Sequence, residues 1–167
     1  MPWRKPMRWW RHAITDQADA KGAFPSATLD RIEQAIAAAE QRHAGQIMLA
    51  IEPALPVARV LAQLSPRERA LEVFGLLRVW DTEHNNGVLV YLLLADRDVE
   101  IVADRGIHRL VGEAAWQEIC ATMEAEYREG RFEEGTLAGI AAISALLARA
   151  FPKGDDANEL PNRPVVI

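Results

Sequence analysis

The most polar and the most apolar stretches of the chain are neighbours. Residues 80–87 read Trp-Asp-Thr-Glu-His-Asn-Asn-Gly, and residues 88–95 that follow are all apolar. Asn-Asn-Gly tolerates positive φ and can turn the chain sharply. An apolar run bounded by turn formers is typical of a strand buried on both faces. The pattern therefore predicts a polar loop at the rim of a central strand, where binding residues are commonly placed.

Hydrophobic spacing predicts two more strands and four helices. Residues 46–51 form a second apolar run, and residues 98–104 alternate as in a strand that follows a tight turn at Asp96-Arg97. Apolar residues recur at helical spacing in four segments, namely residues 26–42, 65–79, 113–128 and 133–151. In the second of these helices we expect four side chains to face the core: Leu71, Phe74, Leu76 and Leu77.

The order of these elements predicts a single-domain, three-layer α/β/α sandwich with a small mixed β-sheet. The strand at residues 46–51 reaches the central strand through a helix, so the two should run parallel. The strand at residues 98–104 should pair antiparallel to the central one through its short turn. The expected divisions are a basic, aromatic N-terminal arm or helix (1–24), the α/β domain (25–151) and an extended, Pro-containing C-terminal tail (152–167).

Composition narrows the class of protein. Half of the 167 residues are apolar and 26% are charged, the profile of an ordinary globular domain. The net charge of -5 gives no general attraction to nucleic acid. There is no leader-like apolar core and no run approaching about 18 apolar residues, so we expect a cytoplasmic protein. The single cysteine, Cys120, excludes an internal disulfide and lies on an apolar helix stripe, where burial is expected rather than nucleophilic chemistry.

The N-terminal arm mixes tryptophans with basic residues, and two interpretations stay open. The residues concerned are Trp3, Arg4, Lys5, Arg8, Trp9, Trp10 and Arg11. Such a segment can lie on an anionic membrane surface as a peripheral contact. The alternative, which we favour, is that the tryptophans dock the arm onto its own domain.

The topology brings several polar groups to one end of the sheet. The central strand starts at Gly87, the antiparallel strand ends at Asp104, and the first strand starts near Gly45. These three points should lie at the same rim. The polar loop is therefore expected to approach Asp104 and the residues after it, with His43 nearby.

Two kinds of chemistry could use this rim. The candidate metal ligands are Asp81, Glu83, His84, Asn86 and Asp104. The side-chain oxygen atoms of the Asp, Glu and Asn residues suit calcium or magnesium, and zinc would use the histidine with the carboxylates. The candidate anion-binding residues are Arg105, His108 and Arg109, which precede a helix N-terminus. Asp104, Arg105 and His108 are the candidate catalytic residues. A cation site beside an anion site is what metal-assisted phosphate-ester hydrolysis needs.

Structural roles for the same residues are the alternative. The side chains of Asp81 and Asn86 could serve merely as hydrogen-bond partners for backbone groups in a tight loop. His108 could be an ordinary helix-entry or interface histidine, and Arg105 could pair on the surface, a contact worth about 1 kcal/mol or less. Ligands in open α/β sheets usually bind beyond the carboxyl ends of parallel strands, an end that here carries Glu52 and the Asp96-Arg97 turn. We place the candidate site at the rim because its polar groups are more numerous.

Several ordered segments resemble the TPM domain family. They are Asn86-Gly-Val-Leu-Val-Tyr-Leu-Leu-Leu-Ala-Asp96, Val99-Glu-Ile-Val-Ala-Asp-Arg-Gly-Ile107 and Tyr127-Arg-Glu-Gly-Arg-Phe-Glu-Glu-Gly135, preceded by Gly45-Gln-Ile-Met-Leu-Ala-Ile51. Together they cover about residues 28–150. The chain is similar to a soluble bacterial branch of the family, without a signal peptide or a membrane span.

The resemblance implies an α/β/α sandwich with a mixed sheet, and it suggests two activities. Some members are described as acid phosphatases, and calcium binding is reported for some. The loop before Asn86 is shorter than the usual family pattern, and Asp104-Arg105-Gly106 stands where Gly-Tyr-Gly is usual. We therefore carry over only Asp81 and Asn86 as metal or substrate contacts.

These observations lead to two hypotheses of different classes. The first is a binding or accessory module that holds a divalent cation at the rim and contacts a protein partner or, through its arm, a membrane surface. The second is a metal-dependent phosphomonoester hydrolase. We prefer the first because no nucleophile with a base can be named from the sequence.

Overall fold

The fold is a mixed four-stranded sheet between two layers of helices. The computed structural model describes residues 4–155 and 157–167, and for residues 4–7 the backbone alone. Its strands are β1 (Gln46–Glu52), β2 (Gly87–Leu93), β3 (Asp98–Ala103) and β4 (Val165–Val166). Its helices are α1 (Arg4–Ile14), α2 (Gln17–Ala23), α3 (Ser26–Ala39), α4 (Val57–Leu61), α5 (Pro66–Leu76), α6 (Arg105–Val111), α7 (Glu113–Arg128) and α8 (Phe132–Ala150).

The strand order is β3-β2-β1-β4. β1 and β2 run parallel, with Gln46 opposite Gly87, and β3 is antiparallel to β2, with Ala103 opposite Val88. This confirms the predicted mixed sheet and its central strand. β4 comes from the C-terminal tail and pairs parallel to β1, with Val165 opposite Ala50. A strand of two residues has no periodicity that a sequence pattern could reveal.

Both faces of the sheet are covered, which confirms the three-layer α/β/α architecture. Alternate side chains of β2, such as Val90, join a core with α3, α7 and α8, which contribute residues such as Ile36 and Ile140. The intervening side chains, such as Tyr91, join a second core with α5, which contributes Val73. Every residue of β1 and β2 is buried, as expected for strands covered on both sides.

The orientation of α5 differs from the prediction. Leu71 and Leu76, which were expected to face the core, are 51% and 70% exposed. Ala70 and Val73 are buried instead, and Phe74 and Leu77 are partly buried against the same core. The helix ends at Leu76 rather than at residue 79, and two residues later Arg78 takes a positive φ of 55. Because leucines occur on more than one face, the apolar spacing alone did not fix the rotation of this helix.

Three short helices were missed by the sequence analysis. α4 has five residues, and α2 and α6 have seven each, too few to show a helical repeat of apolar positions. α6 occupies the segment between Asp104 and Gly112, which carries the predicted anion-binding residues.

An ion cluster links the sheet to α5. Glu52, at the end of β1, is 6% exposed. Arg69 donates two hydrogen bonds of 2.9 Å to its carboxylate, and Tyr91 Oη donates a third of 2.6 Å to Glu52 Oε2. Burial, together with this contact with Glu52, raises the pKa of the Tyr91 hydroxyl far above its usual range. The cluster therefore keeps a buried carboxylate paired and fully hydrogen-bonded.

Side chains cover the outer edge of the sheet. At the free edge of β3, the N–H of Val99 donates to Glu124 Oε1 at 3.1 Å, and Arg67 Nη1 donates to the carbonyl of Ile101 at 2.7 Å. Unpaired edge groups invite pairing with a strand from another chain. These two contacts occupy part of that edge with groups from α7 and α5.

The N-terminal helix is bound to the body of the domain. Arg8 Nε and Arg11 Nη2 lie 2.9 Å and 3.0 Å from the carboxylate of Asp96, in the turn between β2 and β3. His12 Nε2 lies 3.2 Å from the same carboxylate, and His12 Nδ1 accepts the N–H of Leu55 at 2.9 Å. Although burial alone would raise it, the contacts with His12 and Arg8 lower the pKa of Asp96 to about 2. The ion pairs therefore persist at neutral pH.

The tryptophans of the arm are placed differently from one another. Trp9 is partly buried against the second core, whereas Trp10 is 56% exposed. Trp3 and the side chains of Arg4 and Lys5 lie outside the described residues. None of the described helices combines the length and the apolar character needed to cross a membrane.

Replacing Arg69 by methionine should destabilise the domain. The change leaves the buried Glu52 carboxylate with Tyr91 but without a counter-ion. Breaking one side of a buried ion pair costs about 3 kcal/mol or more. The free energy of unfolding, measured by urea titration followed by circular dichroism, should fall by that amount.

Arg59→Met is the matched control for this change. Arg59 pairs with Glu72, where both side chains are about 40% exposed. Exposed ion pairs contribute about 1 kcal/mol or less. Equal losses in the two variants would show that the Glu52 carboxylate does not need its arginine.

Candidate functional site

The polar loop between α5 and β2 is held in place by a close backbone approach at Gly87. A Cβ atom on Gly87 would lie 2.1 Å from the carbonyl oxygen of Val79. At the other side of the loop, Asn86 N–H donates to Thr82 Oγ1 at 3.1 Å, and Asn86 Nδ2 donates to the carbonyl of Ala44 at 2.6 Å. Asn86 is 1% exposed. The loop therefore enters β2 along one narrow path that only glycine allows.

The same loop contacts the start of α6. Asp104 N–H donates to the carbonyl of Gly87 at 2.9 Å, and Asp104 Oδ1 accepts the N–H of Arg105 at 2.7 Å as the cap of α6. A Cβ atom on Gly106 would lie 3.2 Å from the carbonyl oxygen of Asn85. Asn85 has a positive φ of 50. The rim predicted from the topology is thus present, with the loop and the first turn of α6 in contact.

An open groove of about 820 Å³ lies between this loop, α5 and α6. We call it the rim groove. Its walls include Leu71, Phe74, Trp80, Asp104, Arg105 and Arg109, and His84 also lines it. One wall is apolar and comes from α5 and its C-terminal end. The other is charged and comes from α6 and its cap.

The structure brings together only some of the predicted ligands. His84 and Asp104 line the rim groove, whereas Asp81 forms an ion pair with Arg78. The backbone N–H of Glu83 donates to the carboxylate of Glu159, in the C-terminal tail, at 3.0 Å. The tail, expected to be merely extended, therefore holds part of the loop.

The three histidines expected near the rim, His43, His84 and His108, do not all line the rim groove. His43 is fully buried, with Nδ1 3.1 Å from the carbonyl oxygen of Gly45, and burial lowers its pKa to about 4. His108 is not among the residues that line the groove, and its Nδ1 lies 3.9 Å from Glu113 Oε2. Of the three, His84 alone lines the rim groove.

The charged wall carries groups whose hydrogen-bonding capacity is unused within the described part of the chain. Arg105 and Arg109 are exposed, stand one helical turn apart on α6, and form no ion pair with another described residue. Asp104 Oδ2 is a buried oxygen atom without a hydrogen-bond partner there. Asn86 Oδ1 is another, but Asn86 does not line the groove. Buried polar atoms are normally partnered, so unpaired ones call for an explanation such as a bound ion or water.

No ready-made metal centre or nucleophile accompanies these groups. Among residues 4–155 and 157–167, no group of three or more His, Cys, Asp or Glu side chains is arranged to hold a metal ion. Cys120 lies in α7, outside the rim groove, and burial raises its pKa to about 12. A thiol with that pKa is not a nucleophile at neutral pH. Cys120 is partly buried against the core rather than fully buried.

Two polar clusters were not found from the sequence. The first is Asp96 with the basic residues of α1, at the end of the sheet opposite the rim. It borders a second groove of about 810 Å³, lined by residues such as Arg11 and Phe132. The second lies at the edge of β3, where burial, with repulsion from Glu124, raises the pKa of Asp98 to about 7. Both depend on contacts between distant parts of the chain, for which the sequence offers no local signal.

Comparison with known proteins supports the fold. The family model described as the TPM domain matches residues 17–146. The BA42 protein of the psychrophilic bacterium Bizionia argentinensis is similar at 29% identity, with a TM-score of 0.75 over 86% of this chain and 94% of that one. The N-terminal domain of a protein from P. gingivalis shares the fold at 17% identity, with a TM-score of 0.64 over 81% and 84%. No curated protein matches the chain.

Replacing Gly87 by alanine should destabilise the rim. The new methyl group would meet the carbonyl of Val79, which is backbone and cannot rotate away. We expect a loss of about 2 kcal/mol or more in the free energy of unfolding, measured by urea titration. Amide exchange of the loop, followed by NMR, should accelerate.

Gly75→Ala is the control for this change. Nothing lies within 4 Å of a Cβ placed on Gly75, which is in α5. Alanine in a helix is more favourable than glycine by about 0.5–1 kcal/mol, so this variant should be slightly more stable than the parent. If Gly87→Ala were equally well tolerated, the loop would not depend on the close approach.

Proposed function

Because the chain belongs to the TPM domain family, we propose that it is a binding or accessory module that uses the rim groove and holds a divalent cation there. The observation that carries this proposal is that charged side chains of the groove have atoms without an ion-pair or hydrogen-bond partner among the described residues. Asp104 Oδ2 is buried without a partner within the described residues, beside two arginines that form no ion pair there. Groups left unpaired in a fixed groove are available to a ligand.

The cation would be held by oxygen atoms. Among the described residues, Asp104 Oδ2 and Asn86 Oδ1 are the buried oxygens without a hydrogen-bond partner at this end of the sheet, and of the two residues only Asp104 lines the groove. Carboxylate and amide oxygens suit calcium or magnesium, whereas zinc would draw on His84 as well. Asp81 could join only by releasing Arg78. The loop would therefore have to rearrange before all the predicted ligands met.

A phosphomonoester hydrolase is the second candidate function. The observation in its favour is that Arg105 and Arg109 stand beside Asp104 without ion pairs to described residues. Arginine binds phosphate oxygens well, and a cation on Asp104 would supply the means to activate water. We rank it second because the described residues that line the groove include no Ser, Thr or Cys nucleophile, so the chemistry would depend on the cation.

Membrane contact through the arm has less support than binding in the groove. Arg8 and Arg11 are bound to Asp96 and would have to leave it to reach anionic lipid. Trp10 is the one tryptophan of the described part of α1 that is mostly exposed. A single exposed ring gives a small apolar area for insertion.

Calorimetric titration with calcium, magnesium and zinc tests the cation. We expect saturable binding of calcium or magnesium and, in Asp104→Asn, an affinity at least about tenfold lower, since the variant loses one ligand charge. Asparagine can still cap α6 through its side-chain oxygen, so the helix should remain. Asp30→Asn, on α3, changes the same charge elsewhere and should bind as the parent does. Absence of heat with all three ions would remove the cation from the proposal.

An assay with a generic aryl phosphate separates the two functions. If the chain hydrolyses phosphomonoesters, turnover should require the divalent cation and fall at least about a hundredfold in Arg105→Leu, as expected when a transition-state charge contact is lost. Arg149→Leu, on α8, is the matched control. A rate equal to that of buffer at every cation concentration would leave the binding function alone.

A further inference from the structure

The rim groove combines an apolar wall with a basic one, which limits what it can bind. On the apolar wall, Leu71 is 51% exposed and Trp80 is 49% exposed. Phe74, also on α5, lines the groove as well. Large exposed apolar side chains that border one groove are typical of an interaction surface. The Arg78 guanidinium lies 5.8 Å from the centroid of the Trp80 ring, within range of a cation–π contact.

The basic wall has a regular spacing. Arg105 and Arg109 are four residues apart on α6, so their side chains leave the helix on the same face about 6 Å apart. The chain as a whole carries a net charge of -5, so this pair is a local exception to an acidic protein. Neither guanidinium is neutralised by another described residue. A partner with carboxylates at a similar spacing would satisfy both.

We infer that the rim groove binds an acidic amphipathic segment of a partner protein. Its apolar side chains would pack on Leu71, Phe74 and Trp80, and its carboxylates would pair with Arg105 and Arg109. The inference rests on the proposed function, in which this groove is the binding surface, and adds the chemistry of the partner. Tryptophan and arginine are the residues that most often dominate binding energy at protein interfaces.

Charge and shape favour this occupant over others. Nucleic acid would be repelled by the net charge outside the groove and would need more than two basic contacts to bind at physiological salt. A basic segment would meet Arg105, Arg109 and Arg78. The groove has a volume of about 820 Å³ and is open to solvent, so it can receive part of an extended or helical segment. The carboxylate of Asp104 repels an acidic ligand, and a cation bound to this carboxylate would remove the repulsion.

Fluorescence anisotropy with a designed peptide tests the inference on the full chain. The probe is a labelled peptide of about 16 residues with leucine and glutamate at helical spacing, and its matched partner has lysine in place of glutamate. The glutamate peptide should bind saturably, more weakly at high salt and more tightly with calcium present. The lysine peptide should bind at least about tenfold more weakly.

Variants of both walls identify the surface. Trp80→Ala should weaken binding at least about tenfold, whereas Trp10→Ala, which removes a tryptophan of similar exposure from α1, should not. The double change Arg105→Glu and Arg109→Glu should reverse the preference, so that the lysine peptide binds more tightly than the glutamate peptide. Arg42→Glu with Arg149→Glu gives the same charge change away from the groove and should keep the original preference.

The outcomes separate this inference from the proposed function. Equal binding of both peptides, or an unchanged preference in the double arginine variant, would overturn the acidic partner. So would concentration-dependent self-association, seen by sedimentation and abolished by Trp80→Ala, because a second copy of the chain would then occupy the groove. If the peptide fails while Asp104-dependent cation binding persists, the partner is wrong and the proposed cation-binding module stands.

Discussion

The burial of β1 and β2 on both faces is the constraint on which the rest of the structure depends. All seven residues of each strand are buried, so neither face of the sheet can carry solvent-facing chemistry at its centre. Buried charge is costly unless it is paired, and the one carboxylate at the end of β1, Glu52, is paired with Arg69. Polar function is thereby confined to the two ends of the sheet and to its free edge.

The two ends are closed by different parts of the chain. At the carboxyl ends of the parallel strands, α1 is bound to Asp96 by ion pairs that span 85 and 88 residues of sequence. At the rim, the carboxylate of Glu159 in the tail accepts a hydrogen bond from the backbone of the loop. The rim groove lies open between the loop, α5 and α6. The end where open α/β sheets usually bind ligands also has a groove, of about 810 Å³, but its Asp96 carboxylate is already paired with Arg8 and Arg11. The rim is favoured because Asp104 Oδ2 has no such partner among the described residues.

The elements that were predicted correctly are those whose sequence pattern is local, that is, confined to neighbouring residues. β1, β2 and α7 were predicted because an unbroken apolar run or a regular helical stripe records burial directly, and α7 runs over the predicted residues from Glu113 to Arg128. The topology then located the rim, because strand ends are fixed by strand order. The predicted rotation of α5 was wrong because leucines lie on more than one face of this helix.

The remaining features required contacts between distant residues. α6 and β4 are too short to show a period, and their positions depend on Gly106 meeting Asn85 and on the tail returning to β1. The set of candidate ligands was drawn from neighbours in sequence. Their partners, such as Arg78 for Asp81, decided which of them face the groove.

The chemistry of the groove is set by one short helix and its attachment. Asp104 uses one carboxylate oxygen to cap α6 and keeps the other unpartnered within the described chain, so a single residue both begins the helix and offers a ligand atom. Gly106 lets the helix approach the loop so closely that a side chain there would meet Asn85. The positions of Arg105 and Arg109 follow from that approach. A side chain at position 106 would require α6 or the loop to shift by a few tenths of an ångström, so the placement of the basic wall beside the loop depends on this glycine.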